Sequence, residues 1–507
     1  MISRIHKQCS IALLACFMVL CLFSGRPDAE QPSQEERLRR LEEKVEMLIE
    51  LVEKKDQQIQ DLQQRLEKRT LEESLSPDMV QTDREERDSV PTKSGSNSAP
   101  SDRQLASNLS RSPTLRLIDL SAIINVASGT STATSEEIEQ LQLGAHDPRR
   151  RGFTFQQLEL SLAGAVDPYF TGEAHVIFLE DDVELEEAFV VTNSLPWGLQ
   201  CEIGYFLTEF GLINPSHPHS WDWIDQPVIN SRLFGGDGMR STGLRVGWLT
   251  PLPWLSEVHV SAQDPSSNRM ASFWGEGLTH SHGSGEEHGH NELKEGIGGR
   301  PIIDQEVRTL GDLVYLLRWV NALPTNSEVT AQLGLSGLYG PNNSGDNGET
   351  WIYGADLVVK WHPRDHNTRG WPFITWQSEI MKRDYEADAF IQDDSVLASD
   401  TLRDWGLYSQ ILVGFCYPWA AGLRFEYATS RGSSVEDGVR IDTSDDPYRD
   451  DRCRLAPLVL WKPTEFSRFR LQYNYDWAEH IHGHDEHSVW LGAEFLFGTH
   501  SDHDHEH

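Results

Sequence analysis

From Leu115 onward the chain alternates apolar and polar side chains in short stretches. Phe469, Leu471, Tyr473, Tyr475 and Trp477 fall on one side of an extended strand, and Arg468, Arg470, Gln472, Asn474 and Asp476 on the other. Val489, Leu491, Ala493, Phe495 and Phe497 repeat the pattern, as do Leu423, Phe425 and Tyr427 against Arg424 and Glu426. Leu244, Val246 and Trp248 oppose Arg245 and Gly247, and Leu199, Cys201, Ile203 and Tyr205 oppose Gln200, Glu202 and Gly204. About sixteen such stretches are legible, each of roughly nine to eleven residues, the length a tilted strand needs to cross a bilayer.

The connections predict what the strands build. Every second one is short and carries proline: Asp167-Pro168-Tyr169, Leu195-Pro196-Trp197, Pro251-Leu252-Pro253-Trp254, Leu323-Pro324-Thr325, Tyr417-Pro418-Trp419 and Lys462-Pro463-Thr464. The intervening ones are usually long, as at 128–152, 206–240, 263–311, 382–404 and 430–452. A soluble sandwich has no reason to segregate its loops so regularly, whereas a transmembrane barrel has tight turns on one rim and extended loops on the other. The tryptophans at strand ends, Trp197, Trp248, Trp254, Trp361, Trp371, Trp419 and Trp461, suit two interfacial girdles. The predicted fold is an all-β transmembrane antiparallel barrel of about sixteen strands, an even number, over residues 114–498.

Ahead of the barrel the period changes. Residues 1–29 have a basic start, an apolar run too short to span a membrane and small residues after it, which is the pattern of a signal peptide. Residues 34–73 place Leu38, Val45, Val52, Ile59 and Leu66 at heptad position a, with Leu41, Leu48, Lys55 and Leu62 at d. A coiled coil through residues 36–69 is expected, giving a homo-oligomer, dimer or trimer. Residues 74–113, rich in Ser, Pro, Asp and Asn, read as a disordered linker, and 499–507 as a His-rich tail. Both ends of the barrel fall on the short-turn side, which puts the coiled coil in the periplasm of a Gram-negative-type bacterium.

Hydrophobic residues make up only 38% of the 507, and the formal net charge of -35 disfavours nucleic acid and anionic headgroups while favouring cations. Cys201, Cys416 and Cys453, the cysteines outside the signal, are an odd and scattered set and form no disulfide framework. Strand alternation predicts that Glu202, Arg245, Lys360, Arg424, Glu426, Arg468, Arg470, Asp476 and Glu494 line the lumen, a mixture of signs that assigns no selectivity.

Histidine supplies the candidate chemistry. His280, His282, His288 and His290 form one group, His480, His482, His484 and His487 a second, and His500, His503, His505 and His507 a third, each interleaved with or close to carboxylates. Imidazole with carboxylate suits zinc, copper or nickel, although the loose spacing specifies no single tetrahedral site. A sharper candidate is the run HPHSWDW, with His217, His219 and Asp222, because Pro215, Pro218, Trp221 and Trp223 would hold it in shape at the outer mouth or folded back into it.

Residues 151–225, with GFTFQQLELSLAGAVDPYFTGEAHV and then ELEEAFVVTNSLPWGLQCEIGYFLTEFGLINPSHPHSWDW, resemble bacterial outer-membrane barrels labelled zinc-regulated, TonB-dependent outer membrane receptors. The resemblance implies a porin-like barrel with His-rich loops and a connection to zinc limitation. A more distant likeness is to phosphate-selective porins with an N-terminal coiled coil. Receptors powered by TonB carry a plug domain where this chain has a heptad helix and a linker, so TonB coupling is not expected.

The expected function is an outer-membrane, porin-like channel for passage or capture of zinc or another divalent metal, with small ions or solutes and membrane lipid as partners and no nucleic acid. No cofactor is required, and the metal enters as ligand or substrate. A general or anion-selective porin with incidental histidines is the alternative. An outer-membrane enzyme using His217, His219, Ser216 and Asp222, or a soluble secreted β-fold binding protein, stands further off.

Overall fold

The computed structural model describes residues 118–275, 295–323, 328–363, 370–392, 395–436 and 439–498. The signal segment, the heptad helix, the linker, the histidines at 280, 282, 288 and 290 and the C-terminal tail lie outside the described residues.

The strands in chain order are β1 (Ile118–Ser131), β2 (Gly152–Ala165), β3 (Phe170–Phe178), β4 (Val183–Thr192), β5 (Leu199–Leu207), β6 (Arg240–Leu249), β7 (Ser256–Gln263) and β8 (Val314–Leu323). There follow β9 (Val329–Pro341), β10 (Glu349–Trp361), β11 (Phe373–Ala387), the short β12 (Phe390–Gln392) and β13 (Ser395–Leu397), and β14 (Asp400–Cys416). The last are β15 (Trp419–Arg431), the short β16 (Ser434–Glu436) and β17 (Val439–Ile441), β18 (Arg452–Thr464), β19 (Ser467–Ala478) and β20 (Asp485–Gly498). Sixteen of them pair with their neighbours in sequence and close into one antiparallel barrel; β12–β13 and β16–β17 are separate hairpins on the long connections. The closing seam joins β1 to β20, with Asn125 opposite Glu494 and Ile124 opposite Phe495.

The period of two puts opposite chemistry on the two faces. Leu317, Leu335, Leu423, Phe425, Val459, Leu471 and Leu491 are exposed on the outside, whereas Arg318, Arg424, Glu426, Arg454, Gln472 and Asn474 are buried inside. Leu471 stands opposite Val459 and Leu491 on the adjacent strands, so the outer surface is a continuous apolar belt. No helix among the described residues is long and apolar enough to cross a membrane, but a closed barrel needs none, because its backbone groups are satisfied between strands.

One rim carries the turns 166–169, 193–198, 250–255, 417–418 and 465–466, with the longer 362–372 among them. The opposite rim carries 132–151, 208–239, 264–313, 388–399 and 432–451, but also the brief 179–182, 342–348 and 479–484, so the segregation is less regular than the proline pattern suggests. Trp419 and Trp461 pair across strands on the short-turn rim with rings stacked 5.8 Å apart. Trp371 departs from the expected girdle. It turns inward and is buried with Trp223, Leu412, Ala456 and Leu460, because the returning loop gives it an apolar partner inside the barrel.

That loop, residues 208–239, fills much of the lumen. Phe210, Ile213, Val228, Ile229, Leu233, Phe234 and Met239 from the loop and its strand-like exit pack on Leu316, Leu338, Ile352, Met381 and Tyr408, inward residues of β8–β14. Two short helices stand at this end. α1 (Ser135–Leu141) begins with a capping box between Thr134 and Glu137. α2 (Val228–Phe234) lies wholly buried, and its first N–H, on Val228, donates to Glu426 at 2.7 Å.

A candidate metal site in the lumen

The loop is tied to the wall by charge. Asp225 accepts from Arg424, from Arg454 at 3.0 Å, from Gln472 at 2.7 Å and from Asn474 at 2.8 Å. Burial alone would raise the Asp225 carboxyl, but Arg424 and Arg454 pull it down to about 2. Trp223 Nε1 donates to the Ala456 carbonyl at 2.9 Å, with the Arg424 guanidinium over its ring, and the Ile224 N–H donates to Gln472. Arg470 donates to the carbonyls of Trp221 and Trp223. The turn is thus held by inward residues of β15, β18 and β19.

Fixing residues 221–226 in this way delivers the preceding His-Pro-His segment to the opposite wall. His217 follows a backbone turn that continues as a short 3-10 turn at Pro218–Ser220, and its ring enters a set of carboxylates from β2 and β4. Its Nδ1 lies 2.8 Å from Glu186 Oε2 and 3.3 Å from Glu159 Oε1, and its Nε2 lies 2.9 Å from Glu187 Oε2. His219 Nδ1 is 2.8 Å from Glu159 Oε2, and His175 Nδ1 on β3 is 3.4 Å from Glu159 Oε1. The rings of His175 and His217 are 4.5 Å apart, those of His217 and His219 5.5 Å. Two overlapping ligand sets result, Glu159 with His217 and His219, and His175 with Glu187 and His217, each with donor atoms within 4.8 Å of one another.

The electrostatics of this corner are unbalanced. Glu159 and Glu186 are fully buried carboxylates. Burial works against protonation of His217, but Glu186 and Glu159 outweigh it and raise the imidazole well above its ordinary value. Although His217 Nδ1 and Glu186 Oε2 are in contact, their directions do not form a hydrogen bond, and both atoms are left without one. An imidazole nitrogen and a carboxylate oxygen side by side, each without a hydrogen bond, suit a cation placed between them.

The other candidate residues divide. Asp222 is not in this cluster; it sits among Arg468, Arg470, Lys462 and Lys360. His480 Nδ1 is 2.7 Å from Asp450 in a network with Arg232 and Arg452, and His487 Nδ1 meets the Tyr473 hydroxyl at 2.7 Å. Among the described residues, His480, His482, His484 and His487 do not converge on a common point. The Ser216 hydroxyl donates to the Ile213 carbonyl and accepts from Trp221 Nε1, so it is committed to the loop's own structure. Glu202, Arg424, Glu426, Arg468, Arg470 and Asp476 are buried inside the barrel, with Arg245, Lys360 and Glu494 partly so. Most of them meet the loop or one another rather than open water, as Arg245 does with Glu202 and Glu209.

Sequence reasoning passed over Glu159, His175, Glu186 and Glu187. The signal lay in register: Ser161, His175 and Glu187 stand side by side on β2, β3 and β4, one polar row across three strands. This row faces a cavity of about 550 Å³ that is also lined by His217, His219, Asp222, Lys360, Trp371, Lys462 and Arg468. It includes Gly370 and Trp371 from the 362–372 connection, so it reaches towards the short-turn rim.

No family model matches the chain. A protein of Aquifex aeolicus (strain VF5), described as uncharacterized, is 27% identical over 380 residues, covering 70% of this chain and 72% of its own length. Among solved structures, the outer membrane channel DcaP of Acinetobacter baumannii aligns with a TM-score of 0.45 and 10% identity, over 75% of this chain and 97% of its own. An anion-selective porin from Comamonas acidovorans aligns with a TM-score of 0.44 and 8% identity, over 75% and 99% respectively. OmpT of Vibrio cholerae in its trimer form gives 0.42 and 8%, over 75% and 99%. The barrel itself is read from the strand pairing described above.

Proposed function

We propose that this protein is a porin-like channel of a bacterial outer membrane that captures or passes divalent metal ions, zinc foremost, at the His217 cluster. The supporting architecture is the closed sixteen-stranded barrel with its apolar belt and polar interior. The observation that carries the metal reading is the convergence of His175, His217 and His219 with Glu159 and Glu187, the three imidazoles and Glu187 lining the lumen cavity.

Zinc takes imidazole nitrogen and carboxylate oxygen at about 2.0–2.2 Å in a tetrahedron. Glu159 lies against all three imidazoles and is the natural centre of the ligand set. A metal between His217 Nδ1, His219 and Glu159 leaves His217 Nε2 free to donate to Glu187, the carboxylate–histidine arrangement that orients metal-bound imidazoles. The site is cargo-binding rather than catalytic: exposed to a cavity on one side, it lets an ion enter and leave. The oligomer expected from the heptad segment, its periplasmic position and the zinc-regulated receptor likeness belong to the same proposal.

The test is an equilibrium zinc titration of the purified, folded barrel, with planar-bilayer conductance recorded with and without zinc. Binding tighter than millimolar that weakens at least about thirtyfold in H217Q/H219Q is expected, about 2 kcal/mol at 1.4 kcal/mol per tenfold. Binding no tighter than millimolar, or unchanged in the double variant, overturns the metal reading.

A further inference from the structure

The cavity has two unlike walls. On one stand His175, His217, His219, Glu173 and Glu187; on the other Lys360, Lys462 and Arg468, with Asp222 among them. Arg470 lies behind, and all four cations act on the Asp222 carboxylate. Glu494 pairs with Arg468 at 2.5 Å and with Arg470 at 3.4 Å, and Asp225 adds its charge at Arg470. Lys360 and Lys462 share the Asp222 carboxylate with the two arginines. Neither lysine forms a side-chain hydrogen bond or ion pair with another described residue. The walls are contiguous, because Arg468 donates to the backbone carbonyl of His219.

A bare divalent cation has no use for the second wall, which would repel it. A free organic anion would be repelled by the carboxylates of the first. A species that is cationic at one end and anionic at the other fits both. The cavity of about 550 Å³ is also far larger than one ion needs, and falls in the range of roughly 300–1,000 Å³ typical of small-molecule sites. We infer that the cargo is a divalent metal already held by a small carboxylate chelator, the metal docking on His217, His219 and Glu159 and the chelator's outer carboxylate on Lys360, Lys462 and Arg468. This rests on the metal reading above and specifies its substrate class. Lys360 and Lys462 become specificity determinants: they distinguish the complex from the free ion, while the imidazoles distinguish it from the free acid.

The experiment measures zinc retained by the full-length, detergent-folded protein in equilibrium dialysis, with zinc chloride alone, citrate alone, and zinc with one equivalent of citrate. A site for the free ion loses zinc when citrate competes for it, whereas a site for the complex holds its zinc or gains more. In the wild type, retention that is maintained or raised by citrate is expected. In K360Q/K462Q, verified as folded by heat-modifiable migration, affinity for zinc citrate should fall about tenfold, while that for zinc alone stays within about twofold. Zinc bound alone but stripped by citrate from the wild type overturns the inference and leaves the metal reading standing; this comparison does not depend on the variant folding. Citrate binding equally well with and without zinc also overturns it, by showing an anion site. Failure of the protein to bind zinc in either form overturns both.

Discussion

Asp225 Oδ2 accepts a hydrogen bond from Arg454 Nη1 at 3.0 Å across 229 residues of sequence, and its other oxygen takes Arg424 and Gln472. One carboxylate thus fastens the inward loop to three strands of the opposite wall. Removing its charge leaves two buried guanidiniums with only Glu426 and Asp476 as acidic partners. D225N should therefore weaken loop docking by about 3 kcal/mol, the lower end of what breaking a buried pair costs. Larger single-channel conductance and faster proteolysis within residues 208–239 are the expected readouts. Unchanged conductance with a protected loop would show that the apolar contacts alone hold it.

Docking should also depend on pH, on two sides. The Asp225 carboxyl is depressed to about 2, so its contribution is present above its ordinary value of about 3.8 and is lost as pH falls through 2. Asp147 behaves oppositely. It accepts from the Gln226 and Gly144 N–H groups, yet burial, followed by the charge of Asp225, raises it to about 7. A raised carboxyl favours the protonated folded state, so its contribution is present below about 3.8 and is lost as pH rises through 7. Protection of the loop from protease should pass through a maximum on the acid side of neutrality. D147N should flatten the limb between pH 4 and 7 and leave the acid limb in place.

The barrel was legible because its signal is local. In β18 and β19 the side chains alternate between the apolar outer face and the lumen, and the pattern in Phe469–Trp477 needs no tertiary knowledge to read. The loop was not legible in the same way. Its apolar residues, Phe210, Ile229 and Phe234, have no period, and their partners Leu338, Ile352 and Met381 lie inside a barrel whose interior also carries many polar and charged side chains. Trp371 went astray for that reason: a tryptophan beside a turn suits a girdle unless something apolar waits within. The His-Pro-His segment was visible as a constrained ligand source, but its carboxylate partners required knowing that β2, β3 and β4 are adjacent and how their registers align. Among the described residues, the histidine-dense stretch 480–487 has His480 occupied by an aspartate–arginine network.

The outward face gives a sharp contrast between neighbours. Leu471 points to the apolar belt, while Gln472, the next residue, is buried inside and bonds both Asp225 and the Ile224 N–H. L471R should cost about 2–4 kcal/mol if it lies near the bilayer midplane, read as a lower urea midpoint for folding into lipid vesicles. Q472A should leave that midpoint nearly unchanged and raise conductance by loosening the loop. The reverse pattern would mean that the strand faces the other way.

Glu187 and Asp222 stand on different sides of the cavity and should respond differently to substitution. Glu187 Oε2 faces His217 Nε2 and Glu187 Oε1 accepts the Leu207 N–H at 2.7 Å, so its carboxylate is held in place to orient the ring. Gln at this position keeps the size and the acceptor for Leu207 but not the charge. Loss of such an outer partner typically lowers metal affinity about 10–100-fold, and E187Q should fall in that range in a zinc titration. Asp222 belongs to the cationic wall, where burial raises its carboxyl despite Arg468 and Arg470. D222N should hold zinc within about twofold of the wild type. Equal losses in the two variants would place the metal between the walls instead of on the His217 side, and would require a different ligand set from the one built by β2, β3, β4 and the returning loop.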